Sequence, residues 1–368
     1  MKKLRLPIAL LILQILIACG DKEPDKVVST KPLLIGMDLS FQPEIASSDF
    51  VFKDENSRTI EMLPFLKAKG VDIVRLRLWH TPADGHSGLN ELLEYSQDVK
   101  SAGMEILLDI HYSDWWADPG SQTIPVAWQG LTAEQLKTEI YDYTLMVMEA
   151  MEAQNTLPSM VQIGNETNSG FLWDLGRVGG SFDSNWNTYI EMIGEGMDAV
   201  REVNPTTKIM LHYAGLEGSD WFFNNVSTVD YDIIGLSYYP IWHGKSLTNL
   251  QTVLNNLSST HGKEIMIVET AYPYSMNWAD WTNNIWGSED QLISGYTATP
   301  EGQAAFFAKL KEIMINVPNK KGLGICYWAP DWVAFKGTEA TDGSTWENAT
   351  TFDFSGRALP IMDEFEDQ

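Results

Sequence analysis

The chain has 368 residues, 44% of them hydrophobic and 20% charged, which is the balance of a globular protein with a large core and not of a disordered chain or a repeat array. Its formal net charge is -25. Such a surface repels DNA, RNA and anionic lipid, so nucleic acid is excluded as a partner, while a neutral polysaccharide meets no such barrier.

The N-terminus reads as a processing signal. Lys2, Lys3 and Arg5 precede an apolar stretch from Leu6 to Ala18 that is too short to span a membrane comfortably. It ends in Leu16-Ile17-Ala18-Cys19, which resembles a bacterial lipoprotein box. That resemblance implies a signal peptide over 1–18, lipidation at Cys19 and a polar tether over 19–31. Acidic residues close behind the cysteine (Asp21, Glu23, Asp25) resemble export signals of surface lipoproteins. The expected location is the cell envelope, on the outer-membrane surface of a Gram-negative bacterium, with membrane contact only through the lipid. Cys326, the other cysteine, lies in the apolar run Gly324-Ile325-Cys326-Tyr327-Trp328 and reads as a free buried thiol.

From residue 33 onward, strand-like and helix-like segments alternate. An apolar run at 33–40 is followed by helical spacing over 58–69 (Ile60, Leu63, Phe65, Leu66) that stops at Gly70. The second strand is expected at 71–79, a helix at 88–102 and the third strand at 104–112. Thr132 with Gln135 forms a capping box that opens a helix running to about residue 153. Strand four follows at 160–166, a helix at 184–203 ended by Asn204-Pro205, and strand five at 208–214. A short helix near 217–227, strand six at 231–240, a helix near 246–261 and strand seven at 264–272 come next. Thr299 and Pro300 start another helix, strand eight covers 322–330, and a last segment closes near 357–366. Eight apolar strands alternating with helices predict one closed (β/α)8 barrel over 32–368, with a monomer as the default state. The rival, a doubly wound open sheet, is disfavoured because no glycine-rich phosphate loop follows an early strand.

In such a barrel the reactive side chains lie at the C-terminal strand ends. Two glutamates stand there, Glu166 after strand four and Glu269 on strand seven. Paired carboxylates across one barrel mouth suit glycoside hydrolysis, one as proton donor and one as nucleophile. Asn165, beside Glu166, can hydrogen-bond a sugar 2-hydroxyl. Arg75 is the expected donor that keeps Glu269 ionised, with Tyr238 as a second candidate. His111 and His243 face the same mouth. Of the fourteen tryptophans, most fall after strands or in loops, among them Trp115, Trp128, Trp173, Trp242, Trp278, Trp281, Trp286, Trp332 and Trp346, and about a third of these are expected to stack on sugar while the rest pack. Trp328 is the expected floor beside the cleaved bond.

These segments carry a resemblance. Asp109-Ile110-His111-Tyr112-Ser113-Asp114-Trp115-Trp116-Ala117-Asp118-Pro119 resembles the third-strand signature of glycoside hydrolase family 53. So do Val161-Gln162-Ile163-Gly164-Asn165-Glu166, residues 235–244 and Val268-Glu269-Thr270. The resemblance implies retaining endo-hydrolysis of β-1,4-galactan, as found in type I arabinogalactan, with Glu166 as acid/base and Glu269 as nucleophile. It implies galactose contacts from Trp116, Ala117, Asp118 and Pro119. No cofactor is expected for catalysis. Some bacterial members hold calcium in the loop after strand seven; here Asn277, Asp280 and Asn283 are the candidate ligands, and so few charges make a weak site. Two other readings use the same glutamates or none: a mannanase- or xylanase-type barrel hydrolase, and a catalytically inactive glycan-binding lipoprotein.

Overall fold

The computed structural model describes residues 33–366. The signal peptide, the lipidation site Cys19 and the polar tether lie outside the described residues. Strands β1 (Leu34–Asp38), β2 (Ile73–Leu78), β3 (Glu105–Ile110), β4 (Met160–Ile163), β5 (Lys208–Ala214), β6 (Ile233–Ser237), β7 (Glu264–Thr270) and β8 (Gly322–Tyr327) pair in sequence order and close into a barrel, every pairing parallel. Closure removes the open-sheet alternative and leaves no unpaired edge.

Two side-chain layers explain why these strands are almost wholly apolar. The faces turned outward meet the helices: α1 (Gln42–Ala46), α2 (Met62–Ala68), α3 (Leu89–Ser101), α4 (Ala133–Ala153), α5 (Trp186–Val203), α6 (Ser219–Asn225), α7 (Pro240–His243), α8 (Leu247–His261) and α9 (Pro300–Ile315). Facing the lumen, Ile73, Leu107, Met160, Met210, Ile233, Met266, Val268 and Cys326 form a separate buried cluster. Two residues further along β2, β3, β4 and β5 the lumen turns polar, with Arg75, Asp109, Gln162 and His212 all buried. A lumen that is apolar below and polar above is a packed plug carrying a site at its C-terminal rim.

The helix boundaries follow their caps. Thr132 Oγ1 accepts from Gln135 N while Gln135 Oε1 accepts from Thr132 N, which makes the expected capping box at α4. Thr299 Oγ1 accepts from Gly302 N, with Pro300 opening α9. The closing segment is a 3-10 turn, Pro360–Glu364, and beside it Phe365 packs edge-on against Phe307 of α9 with ring centroids 5.1 Å apart. Short helices α1 and α7 are additions to the predicted order; each is a few residues long and starts at or beside a proline.

Candidate active site

β4 ends at Ile163, and the chain then makes an abrupt turn. Gly164 (φ 76°) and Glu166 (φ 46°) both lie in the left-handed region. A Cβ on Gly164 would meet Thr167 Cγ2 at 2.6 Å, so glycine is required there. The strain at Glu166 is held by β5: Glu166 N donates to His212 Nδ1 (3.3 Å) and Thr167 N to His212 O (3.0 Å). Glu269 reaches the lumen through an irregularity. Strands β6 and β7 shift register so that Ser237 pairs with Glu269, and β7 shifts again against β8 between Ile267 and Thr270. Period-two alternation from Met266 and Val268 would otherwise bring Thr270 over the lumen. The bulge aims Glu269 there instead.

The two glutamates converge. A carboxylate oxygen of each lies within 4.8 Å of the other, and a ring nitrogen of His212 shares that radius. Such a triad has metal-ligand geometry, but both His212 nitrogens already face protein partners. Arg75 Nη1 meets Glu269 Oε1 at 2.7 Å and Tyr239 donates its hydroxyl proton to Oε2 at 3.0 Å. Glu166 Oε1 accepts from Ser237 Oγ at 2.5 Å.

These neighbourhoods separate the two carboxyls. Glu166 is raised above the ordinary glutamate range, first by burial and then by the charge of Glu269. Glu269 is raised as well, by burial first and then by the charges of Asp109 and Asp38, but there the guanidinium of Arg75 opposes the shift, as does the Tyr239 hydroxyl, and it stays below Glu166. Among the described residues Glu166 has no hydrogen bond from a cationic side chain, so it is the group that retains a proton when the pair carries one.

Arg75 is itself built in. Nη1 also meets Asp38 (2.9 Å), and Nη2 meets Asp109 (2.8 Å) and Asn165 Oδ1 (2.9 Å). Burial works to raise Asp109, and Arg75 and His111 outweigh it, holding that carboxyl down at about 2. Asn165 Nδ2 donates to Ala117 O (2.8 Å), which ties the loop after β3 to the turn carrying Glu166.

A cleft of about 420 Å³ opens over the pair, lined by Trp116, Ala117, Asp118, Asn165, Glu166, Tyr239, Trp242, Glu269, Trp328, Trp332, Thr345 and Trp346. Seven of the expected site residues are in that lining. Arg75 and His111 stand behind it. His111 Nδ1 accepts from Ala117 N (3.2 Å) and Trp79 Nε1 (3.3 Å), and its Nε2 faces Asp109 (3.0 Å), so it braces the Trp116–Asp118 loop from below. Pro119 is exposed beside the lining.

Tyr238 requires a correction. Its hydroxyl donates to Gly244 O (2.9 Å), and the donor to Glu269 is its neighbour Tyr239. Alternation along the strand explains this: Gly235, Ser237 and Tyr239 share the lumen face, and Tyr238 points away. His243 also works indirectly, its Nδ1 accepting from Tyr239 N (3.0 Å). Trp286, one of the loop tryptophans, is fully buried and packs on Tyr272.

His212, Ser237, Tyr239 and Thr345 were not singled out from sequence, while Trp242, Trp332 and Trp346 were named only among the tryptophans after strands or in loops. The first three were reachable from alternation. Trp332, Thr345 and Trp346 lie on the long segment after β8, where no periodicity marks a direction.

Around the expected calcium loop, the donors differ from those anticipated. Asp280 is buried, with Oδ1 accepting from Thr282 N (2.6 Å), whereas Asn277 and Asn283 are exposed. Glu347, from the segment after β8, is fully buried, and its Oε1 accepts from Ala279 N and Asn284 Nδ2. Asp280 Oδ2, Glu347 Oε2 and Asn284 Oδ1 have no hydrogen-bond partner among the described residues. Oxygen donors buried in this way fit a hard cation.

Comparison with known proteins agrees with this geometry. Residues 34–365 match the sequence profile of Glycosyl hydrolase family 53. The arabinogalactan endo-beta-1,4-galactanase of Cellvibrio japonicus is 35% identical over 348 residues, covering 91% of each chain. The endo-beta-1,4-galactanase of Bacillus subtilis is 31% identical over 380 residues, covering 91% of this chain and 86% of that one. The family 53 catalytic domain of Ignisphaera aggregans superimposes with a TM-score of 0.86 at 35% identity, covering 92% of this chain and 97% of that one. A match across the whole barrel, joined to two converging glutamates at its mouth, leaves one conclusion: the chain belongs to glycosyl hydrolase family 53.

Proposed function

We propose that this protein is a retaining endo-β-1,4-galactanase acting on galactan and type I arabinogalactan. One observation carries the reaction type: Glu166 and Glu269 bring carboxylate oxygens within 4.8 Å of each other. Double displacement uses carboxyl groups about 5–5.5 Å apart, and inversion needs about 6.5–9.5 Å to admit a water. In the first step Glu166 gives its proton to the glycosidic oxygen as a Glu269 carboxylate oxygen bonds the anomeric carbon, and the leaving sugar departs with the bond electrons. In the second, Glu166 takes a proton from water, and that water oxygen displaces Glu269. Asn165, held by Arg75 and Ala117, is positioned for the sugar 2-hydroxyl.

Support for the substrate comes from the relatives, named for galactan cleavage, and from the 109–119 motif. Comparing turnover on galactan, mannan and xylan tests it, and a preference for mannan or xylan would sink it. A spread of oligomers from linear galactan is the expected product pattern; galactose alone would mean exo action.

The same reading places the enzyme on the cell envelope by a lipid at Cys19, as a monomer. Radiolabelled palmitate should enter the wild-type chain and not Cys19→Ser. We further infer a structural calcium held by Asp280, Glu347 and Asn284 between the segments after β7 and β8. It would supply charge compensation there and take no part in the reaction. A chelator should lower Tm, and Glu347→Gln should abolish that response.

A further inference from the structure

His212 and Ser237 form a chain of hydrogen bonds that has only one self-consistent direction. His212 Nδ1 faces the backbone N–H of Glu166 at 3.3 Å, a group that can only donate, and Gln162 Nε2 at 3.0 Å, whose two protons are shared with Asp109 Oδ1 at 2.5 Å. Asn165 Oδ1 is also near, at 2.9 Å, but it accepts from Arg75 Nη2 (2.9 Å), and a proton on Nδ1 would collide with the backbone N–H of Glu166. Nδ1 is therefore the acceptor nitrogen, and the ring proton sits on Nε2. A neutral ring is also what burial dictates, since desolvation drives His212 far below the ordinary histidine range.

With its proton on Nε2, His212 donates to Ser237 Oγ at 2.8 Å. The serine hydroxyl has a single proton, and the acceptor left for it is Glu166 Oε1 at 2.5 Å. That oxygen is thereby occupied as an acceptor. A proton carried by Glu166 belongs on the other oxygen, Oε2.

We propose that Ser237, oriented by His212, is a positioning residue that assigns the acid proton of Glu166 to Oε2 and holds that oxygen toward the bond being cleaved. The inference rests on Glu166 being the acid/base. It adds a device for the second step as well: once the proton has left, the Ser237 hydroxyl steadies the carboxylate that must next accept a proton from water. Ser237 touches no sugar in this account and acts through Glu166 alone.

Other groups around Glu166 set the background against which Ser237 acts. Glu269 from β7 and Asp118 from the loop after β3 push its proton affinity up; Arg75 from β2 and the Ser237 hydroxyl push it down. Tyr239 stands nearby on Glu269, and His212 on β5 is neutral.

Replacing Ser237 with alanine tests the assignment. Two substrates are compared: galactan, whose leaving sugar needs protonation, and a 2,4-dinitrophenyl β-galactobioside, whose leaving group does not. Ser237→Ala should lower kcat on galactan by about 10–100-fold, the effect of losing one hydrogen bond to an ionisable group. First-step turnover of the dinitrophenyl substrate should change by less than about 3-fold, because no proton is transferred to that leaving group. Removing the donor raises the proton affinity of Glu166, so the alkaline limb of the galactan profile should move to higher pH. Equal losses on both substrates with an unmoved alkaline limb would overturn the proposal. The underlying reading has its own control. Glu166→Ala should be reactivated by azide on the dinitrophenyl substrate, and a Glu166→Ala enzyme with full galactan activity would remove the acid/base assignment itself.

Discussion

Arg75 Nη1 sits 2.7 Å from Glu269 Oε1, and the same guanidinium closes on Asp38, Asp109 and Asn165. One buried cation thus neutralises the nucleophile, braces it from beneath and orients the residue beside the acid. It also carries the lumen charge balance, because three carboxylates share it.

Arg75→Met should therefore unfold more easily by about 3–5 kcal/mol, since it leaves those carboxylates buried with no counter-charge. Arg75→Lys should fold better than Arg75→Met but still lose about 100-fold in kcat, because an ammonium cannot serve Glu269, Asp109 and Asn165 together. Urea unfolding and steady-state kinetics on both variants check this.

The tyrosine pair gives a sharper comparison. Tyr239→Phe removes a hydroxyl 3.0 Å from Glu269 Oε2 and should cost about 10–100-fold in kcat. Tyr238→Phe removes only a bond to Gly244 O and should leave kcat within about 3-fold, with about 1 kcal/mol lost in stability. The reverse ranking would show that the wrong tyrosine has been assigned.

The pH profile follows from the two carboxyls. Glu166 must be protonated for the first step, and burial and Glu269 raise it. Activity should accordingly persist above the ordinary carboxylate range and fall only as Glu166 loses its proton. On the acid side activity falls as Glu269 gains a proton, a loss that Arg75 delays. A kcat/KM profile from pH 3 to 10 whose alkaline limb lay near the ordinary glutamate value would contradict the assignment.

Arg77 supports the aromatic wall of the cleft without entering it. Its guanidinium lies 4.1 Å from the Trp116 ring, 4.4 Å from Trp79 and 4.8 Å from Phe41. Phe41 in turn stacks on Trp332 at 3.9 Å. Arg77→Met should loosen both Trp116 and Trp332, raising KM on galactan about 3–10-fold with a smaller change in kcat. A kcat loss at constant KM would place Arg77 in the chemistry instead.

Much of this site could be read from sequence. The strands were legible because each is a short apolar run closed by turn residues, and the glutamates because barrel strands end at the reactive rim. Asn165 and Arg75 followed from their distance to those ends. Tyr239 and Ser237 carried a readable signal, the period of two along β6, that pointed past Tyr238. Glu269 reached the lumen through a register shift, which leaves no mark in composition. Trp332, Thr345 and Trp346 come from a segment whose path is set by tertiary packing. The buried donors Glu347 and Asp280 likewise meet only when the segments after β7 and β8 fold together.

The central claim is that Glu269 forms a covalent bond to the sugar while Glu166 handles the proton. Incubation with a 2-deoxy-2-fluoro-β-galactosyl fluoride slows the second step, and peptide mass spectrometry then locates the attached sugar. A single adduct is expected on the peptide containing Glu269, absent in Glu269→Gln. An adduct on Glu166, or complete turnover with no adduct and release of the α-anomer first, would contradict it.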